Sequence, residues 1–201
     1  VTVVGLVLAA GAGTRMGGRP KQLLAVGGRP MLQHAIDAAA AAGLSGPVVV
    51  LGHAAGEVAA ALALPPGGRT VVNPRHAEGQ AGSLAAGLAA LPDDAEAAVV
   101  LLGDQPEVRA DAIRALVAAR RPGGPPMLRA AYRGRPGHPV LLERALWPAA
   151  AGLRGDGGAR VLAARDPAAL GLVEVGGDPP EDVDTPEDHA RLLWRRGEGP
   201  E

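Results

Sequence analysis

The chain of 201 residues predicts an α/β fold, a mostly parallel sheet with helices on both faces. Three observations carry that expectation. Apolar runs of strand length recur along the chain, and most are continuous rather than alternating, as strands covered on both faces require. Stretches with helical start and stop signals separate them, so the order reads β-α-β-α. The apolar content comes from Ala, Leu and Val, with no Phe, one Tyr and two Trp, and small aliphatic side chains suit close packing of helix on sheet.

The strand runs are Val3 to Ala9, Pro47 to Leu51, Arg69 to Val72, Ala97 to Leu102, Met127 to Ala131 and Leu172 to Val175. The first helix covers MLQHAIDAAAAA, with Pro30 suited to its first turn and Gly43 just past its last. Stretches after His53, Gly79, Arg109 and Pro186 read the same way. Gly/Pro clusters near Pro65 and Pro122 read as surface turns, and no internal repeat is present. One domain over 1–196 with a frayed tail over 197–201 is expected.

Composition narrows the partners. A formal net charge of −1, with no basic stripe, gives no support to nucleic acid or a membrane as the main partner. The absence of cysteine excludes disulfides and thiolate metal sites and fits a reducing cytoplasm. No apolar run reaches membrane-span length and no signal-peptide layout opens the chain, so a cytoplasmic protein is expected.

In open α/β sheets, ligands bind outside the carboxyl ends of the strands. That rule selects the loops Ala10 to Lys21, Gly52 to Ala55, Asn73 to Gln80 and Gly103 to Glu107. The first combines Gly11 and Gly13, which permit a tight turn with inward amides, with the cations Arg15, Arg19 and Lys21. Bare amides beside cations suit a polyphosphate. Two phosphate templates are not met: G-x-G-x-x-G needs glycine where Met16 stands, and the P-loop needs lysine after its second glycine where Arg19 follows Gly18.

LAAGAGTRMGGRPK, Leu8 to Lys21, resembles the signature loop of the nucleotidyltransferases that activate sugars and cofactors. NPRHAEGQAGSLAAGL, LLGDQPEV with RGRPGHPVLL, and GDGGARVL followed by DVDTPED resemble one branch of them, the molybdenum cofactor cytidylyltransferases. The resemblance covers nearly the whole chain. It implies a Rossmann-like nucleotidyltransferase fold and transfer of CMP from CTP to the phosphate of molybdopterin or molybdenum cofactor, with release of pyrophosphate. It also implies a transient contact with the molybdoenzyme, or its chaperone, that receives the product.

Such a transfer needs shielded phosphate charge and in-line positioning, so cations and a metal are the catalysts to seek. Asp104, at the carboxyl end of a buried strand, has the place and the hard oxygen chemistry for Mg2+; it also reads as a helix cap. In DVDTPED, Asp182 and Asp184 point to one side of an extended segment. By the resemblance Asp184 is favoured as the second metal ligand, while Thr185, Pro186 and Asp188 also spell a helix start with a capping box. Lys21 and Arg15 match the family's loop cations and would hold the triphosphate, whereas Arg19 reads as solvated.

For the base, Leu8, Ala9, Ala10 and Gly11 open the loop, with Gly13 inside it. Relatives that transfer GMP carry Leu-Ala-Gly-Gly there, so the Ala-Ala form points to cytosine. Ser83 stands where cytidylyltransferase relatives place a serine near the base, with Gln80 as a further hydrogen-bonding group; Ser83 also reads as a plain first-turn helix residue. His138, in a presumed acceptor loop with Arg133 and Arg135, would orient the acceptor phosphate, or is a polar surface residue. His34, His53, His76 and His189 lack a metal-ligand spacing and read as structural. Two alternatives stay open: a guanylyltransferase or other NTP:phosphate nucleotidyltransferase, and a non-catalytic nucleotide-dependent carrier of the cofactor.

Overall fold

The structure, a computed structural model, describes residues 2–199. Strand β1 (Thr2–Ala9) is followed by a short hairpin, β2 (Ala25–Val26) and β3 (Arg29–Pro30), and by helix α1 (Met31–Ala41). Then come β4 (Ser45–Leu51), α2 (Ala55–Ala60), β5 (Arg69–Val72), α3 (Gln80–Ala89), β6 (Ala95–Leu102) and α4 (Ala110–Ala118). The second half runs β7 (Met127–Tyr132), β8 (Arg135–Glu143), α5 (Trp147–Ala151), α6 (Ala159–Arg165), β9 (Leu170–Glu174) and α7 (Pro186–Arg195).

Seven strands form one sheet in the order β5-β4-β1-β6-β8-β7-β9. Only β8 runs against its neighbours; the β4, β5, β6 and β9 pairings outside it are parallel. Alternation along each strand divides the core in two. Val4, Leu6, Val48, Val50, Ala98 and Val100 meet α3, α5 and α6 on one face. Val7, Val49, Leu51, Val99 and Leu101 meet α1, α2 and α4 on the other. Both faces of the central strands are therefore dry, which is why their sequences are continuous apolar runs. Among the described residues no helix is long and apolar enough to cross a membrane.

Five features depart from the expectation. Strand β8 was hidden because RGRPGHPVLL carries Pro136 and Pro139, and proline is rare inside a sheet. The structure accommodates both: a two-residue turn at Arg133 and Gly134, both at positive φ, joins β7 to β8, and the register then slips between Arg129 and Ala131. Pro139 lies in that bulge, and β6 pairs with β8 only from Val140 onward. The β2–β3 hairpin and helices α5 and α6 are too short to announce themselves by periodicity. The chain end is tied down as far as it is described: the Glu198 carboxylate accepts from the Gly27 amide at 2.5 Å and from Arg196 Nε at 2.8 Å. Pro200 and Glu201 of the expected frayed tail lie outside the described residues.

Candidate active site

Strands β1 and β6 end side by side, and the loops that leave them, with the loop after β5 and the start of α3, enclose a cavity of about 310 Å³. Backbone accounting explains the shape of the first loop. The carbonyls of Ala9 and Gly11 both accept from Gln22 Nε2 at 2.8 Å, and that of Ala10 accepts from the His53 amide at 3.3 Å. Among the described residues the amides of Gly11, Ala12 and Gly13 find no protein acceptor. A run of free amides is the arrangement that cradles phosphate oxygens. Gly13 has φ +57°, which favours glycine, whereas Gly11 is not at positive φ and a side chain there would meet nothing within 4 Å.

Lys21 is the centre of charge. Its Nζ lies 2.6 Å from Asp104 Oδ2 and 2.8 Å from Asp184 Oδ1. Burial disfavours the ammonium, but Asp104 and then Asp184 outweigh it and hold the Lys21 pKa above its ordinary value. Residues 83 and 163 positions away are brought onto one atom. The fold does this through a single backbone bond, from the Val183 amide to the Asp104 carbonyl at 2.9 Å. Val183 is buried against Val26, Met31 and Leu192, so its flanking aspartates face the site.

Asp182 is engaged differently: its Oδ1 accepts from Gln105 Nε2 at 2.7 Å. Lost solvation, and then the Asp104 carboxylate, push its pKa up. Asp188 and Thr185 form the capping box, with Thr185 Oγ1 accepting from the Asp188 amide and Asp188 Oδ2 accepting from the Thr185 amide. That box fixes where α7 begins, and so where Asp184 stops.

Leu8, Ala9, Ala10, Gly11, Gln80 and Ser83 line the cavity together with Lys21 and Asp104. Ser83 is buried in α3 and its Oγ accepts from Asn73 Nδ2 at 3.1 Å. Arg15 is exposed in a single turn over Thr14–Met16 and does not line the cavity; neither do Gly13 and Asp184. His34 and His189 donate to the carbonyls of Val26 and Ala25 and so hold the β2–β3 hairpin. Reasoning from sequence missed Gln22, whose burial beside a charged loop has no sequence signature, read His76 as structural and left Asp156 unassigned, although both line the cavity. Asp156 lies in GDGGARVL, so a signal for it was present.

Asp156 reaches the cavity because Gly79 lets two loops touch. Gly79 has φ +110°, and a Cβ there would stand 2.3 Å from the Gly155 carbonyl carbon. Gly79→Ala is expected to cost about 3 kcal/mol, from strain and collision together. Chemical denaturation measures it; a loss below about 0.5 kcal/mol would contradict the close approach.

His138 lies on β8, in the bulge, rather than in a loop. Its Nδ1 is buried without a partner. Burial, with Arg129 nearby, pushes its pKa down to about 4, against a smaller opposing pull from Asp104. The unfolded chain therefore binds a proton near pH 6.5 that the folded chain refuses until about pH 4. Stability is complete above pH 6.5 and falls as pH drops through that window, by about 3 kcal/mol at most. Urea melts of the wild type and His138→Gln between pH 4 and 7 test this, since the variant should lose that part of the slope. Arg133 pairs with Asp178 at 3.2 Å and its amide donates to Glu174, while Arg135 is exposed; neither reaches the cavity.

Among the described residues, no three His, Asp or Glu side chains gather to hold a metal. Asp104 and Asp184 nevertheless suit a hard divalent cation. Asp104 Oδ1 is buried without a partner, and the two carboxylates already share one cation in Lys21. Water and phosphate oxygens would complete the ligand set.

Known proteins share this fold over nearly the whole chain. Rv0371c from Mycobacterium tuberculosis H37Rv superposes with a TM-score of 0.86 at 35% identity, over 96% of this chain and 98% of that one. A second structure of Rv0371c, in complex with manganese, gives 0.83 at 32% identity, over 96% and 99%. A nucleotidyl transferase from Methanothermobacter thermautotroptrophicus gives 0.80 at 26% identity, over 96% and 97%. Among curated proteins, nicotine blue oxidoreductase of Paenarthrobacter nicotinovorans is 37% identical over 200 residues, 95% of this chain and 96% of its own length. Residues 5–170 match the MobA-like NTP transferase domain, and with the free loop amides and the Lys21–Asp104–Asp184 cluster inside or beside that span, the chain belongs to the family of MobA-like NTP transferase domains.

Proposed function

We propose that the protein transfers CMP from CTP to the phosphate of molybdopterin or molybdenum cofactor and releases pyrophosphate. The observation that carries the nucleotidyl-transfer part is Lys21 Nζ held between Asp104 and Asp184 at the cavity edge, beside three free amides. The choice of CTP is supported by Ala9 and Ala10, whose methyl groups narrow the cavity where Ser83 and Gln80 supply hydrogen-bonding groups.

The triphosphate lies along Gly11 to Gly13, whose amides and the Lys21 ammonium receive its β- and γ-oxygens. Each charge-assisted bond contributes about 1.5–3 kcal/mol, and whatever part is realised only in the transition state appears in rate. Arg15 closes over the phosphates from the exposed side of the loop. Asp104 and Asp184 would hold Mg2+, which shields the charge on the reacting phosphates when bound; the manganese complex of Rv0371c supports a divalent ion. A cytoplasmic setting and direct transfer of the product to a molybdoenzyme, or its chaperone, go with these substrates.

Pyrophosphate release with Mg2+ and molybdenum cofactor, run in parallel with CTP, GTP, ATP and UTP, tests the reading. Turnover with CTP alone supports it. Turnover with GTP alone makes the protein a guanylyltransferase, and CTP binding without turnover makes it a carrier. The likeness to nicotine blue oxidoreductase favours a second reading, oxidoreduction of nicotine blue or a similar substrate. Oxidation of NADH or NADPH in the presence of nicotine blue, with no pyrophosphate from any nucleotide, would replace the first reading by the second.

A further inference from the structure

A second cavity of about 190 Å³ adjoins the first and shares Gln80 and Asp156 with it. Its other walls include Arg129, His138 and Arg160. Two arginines and a single carboxylate, Asp156, line this small cavity, which leaves an excess of positive charge. Arg129, partly buried on β7, donates from Nε to the Gly137 carbonyl at 3.1 Å, and its two terminal nitrogens have no hydrogen-bond partner among the described residues. Neither Arg129 nor Arg160 forms an ion pair with a carboxylate among the described residues, Asp156 on the same wall included. Burial, and then the like charge of Arg160, lower the Arg129 pKa, the direction expected where two cations converge. The buried Nδ1 of His138 is likewise unpartnered.

We infer that Arg129 and Arg160, with His138 and Gln80, form the binding site for the phosphate monoester of the acceptor, next to the cavity that takes the nucleotide. A guanidinium presents a planar fork that matches phosphate oxygens, and the Gln80 side-chain amide can donate one further bond, with the neutral imidazole of His138 as an uncharged part of the wall. The assignment of this anion as acceptor rests on the nucleotidyl-transfer reading; the anion site itself does not. In that reading, an oxygen of the acceptor phosphate forms a bond to the α-phosphorus while the bond from that phosphorus to the β-bridging oxygen breaks. The electron pair of the broken bond leaves with pyrophosphate. The attacking oxygen of a phosphate dianion carries no proton, so no general base is required, and a histidine that stays neutral is no handicap.

Binding is tested by 31P NMR titration of inorganic phosphate, and of phenyl phosphate as an organic monoester, into wild type, Arg129→Met/Arg160→Met and Lys21→Met. Expected is at least a tenfold weaker binding of both ligands at one site in the double variant, and retention of that site in Lys21→Met. Circular dichroism melts, and the single variant Arg160→Met at the exposed position, guard against misfolding. Equal binding by wild type and the arginine variants overturns the inference. So does a site that takes inorganic phosphate but excludes the monoester, since an acceptor is a monoester. Should the arginine-dependent site be present while no nucleotide yields pyrophosphate, the function reading fails and the site stands. Should transfer proceed with an unchanged acceptor KM in the double variant, the site falls and the function stands.

Discussion

Asp104→Asn is expected to lower pyrophosphate release at saturating nucleotide and divalent cation by about three powers of ten while leaving the fold intact. The substitution keeps the shape of the side chain and one oxygen, and removes the charge. Lys21 retains Asp184 at 2.8 Å, so the ion cluster is weakened rather than abolished. The loss falls on the cation, which contributes several kcal/mol of charge stabilisation in transfers of this kind; about 4 kcal/mol corresponds to the expected rate. Steady-state turnover, a thermal melt and Mn2+ binding followed by electron paramagnetic resonance give three readouts. Rate within threefold of wild type would remove Asp104 from the metal site. A collapse of the melt would instead assign it a structural role.

Lys21→Met should lose about two to three powers of ten in turnover, the range for removing one donor aimed at developing charge. It should also bind Mn2+ more tightly when no nucleotide is present. The sign follows from the geometry: in the nucleotide-free protein the Lys21 ammonium holds the place between Asp104 and Asp184 that a divalent ion would take. Without it, two carboxylates face each other uncompensated. Stability should fall by about 1–2 kcal/mol, less than for a fully buried pair because Asp184 is 44% exposed, and Mn2+ should restore it by binding the native state. Unchanged or weaker Mn2+ affinity would mean that the lysine does not stand in for the metal.

Both effects depend on residues that are far apart in the chain, which separates what was legible in the sequence from what was not. The loop from Leu8 to Lys21 could be read directly, because its chemistry is local: small residues free the backbone amides, and the cations follow within a few positions. The capping box of Thr185 and Asp188 was legible for the same reason, being a pattern over four residues. Strand β8 was not. Its two prolines argue against a strand, and only the bulge opposite Arg129 and Ala131 makes room for them. With β8 misread as a loop, Arg133 and Arg135 seemed the natural cations beside His138. In the folded chain the hairpin turn sends them outward, and Arg129 and Arg160 face His138 instead.

By itself, then, the sequence determined the class of the fold, most strand and helix positions, and the run of small residues and cations in the first loop on which the polyphosphate reading rests. Each depends on the periodicity or composition of a short window, where neighbours in sequence are neighbours in space. The tertiary structure alone decided that Lys21 lies between Asp104 and Asp184, that Gln22 turns the loop carbonyls away from the cavity, and that a second cationic cavity adjoins the first. These are matters of distance between atoms dozens of residues apart. They follow from sheet order, one backbone bond between Val183 and Asp104, and the close approach at Gly79, none of which has a signature in a local stretch of chain.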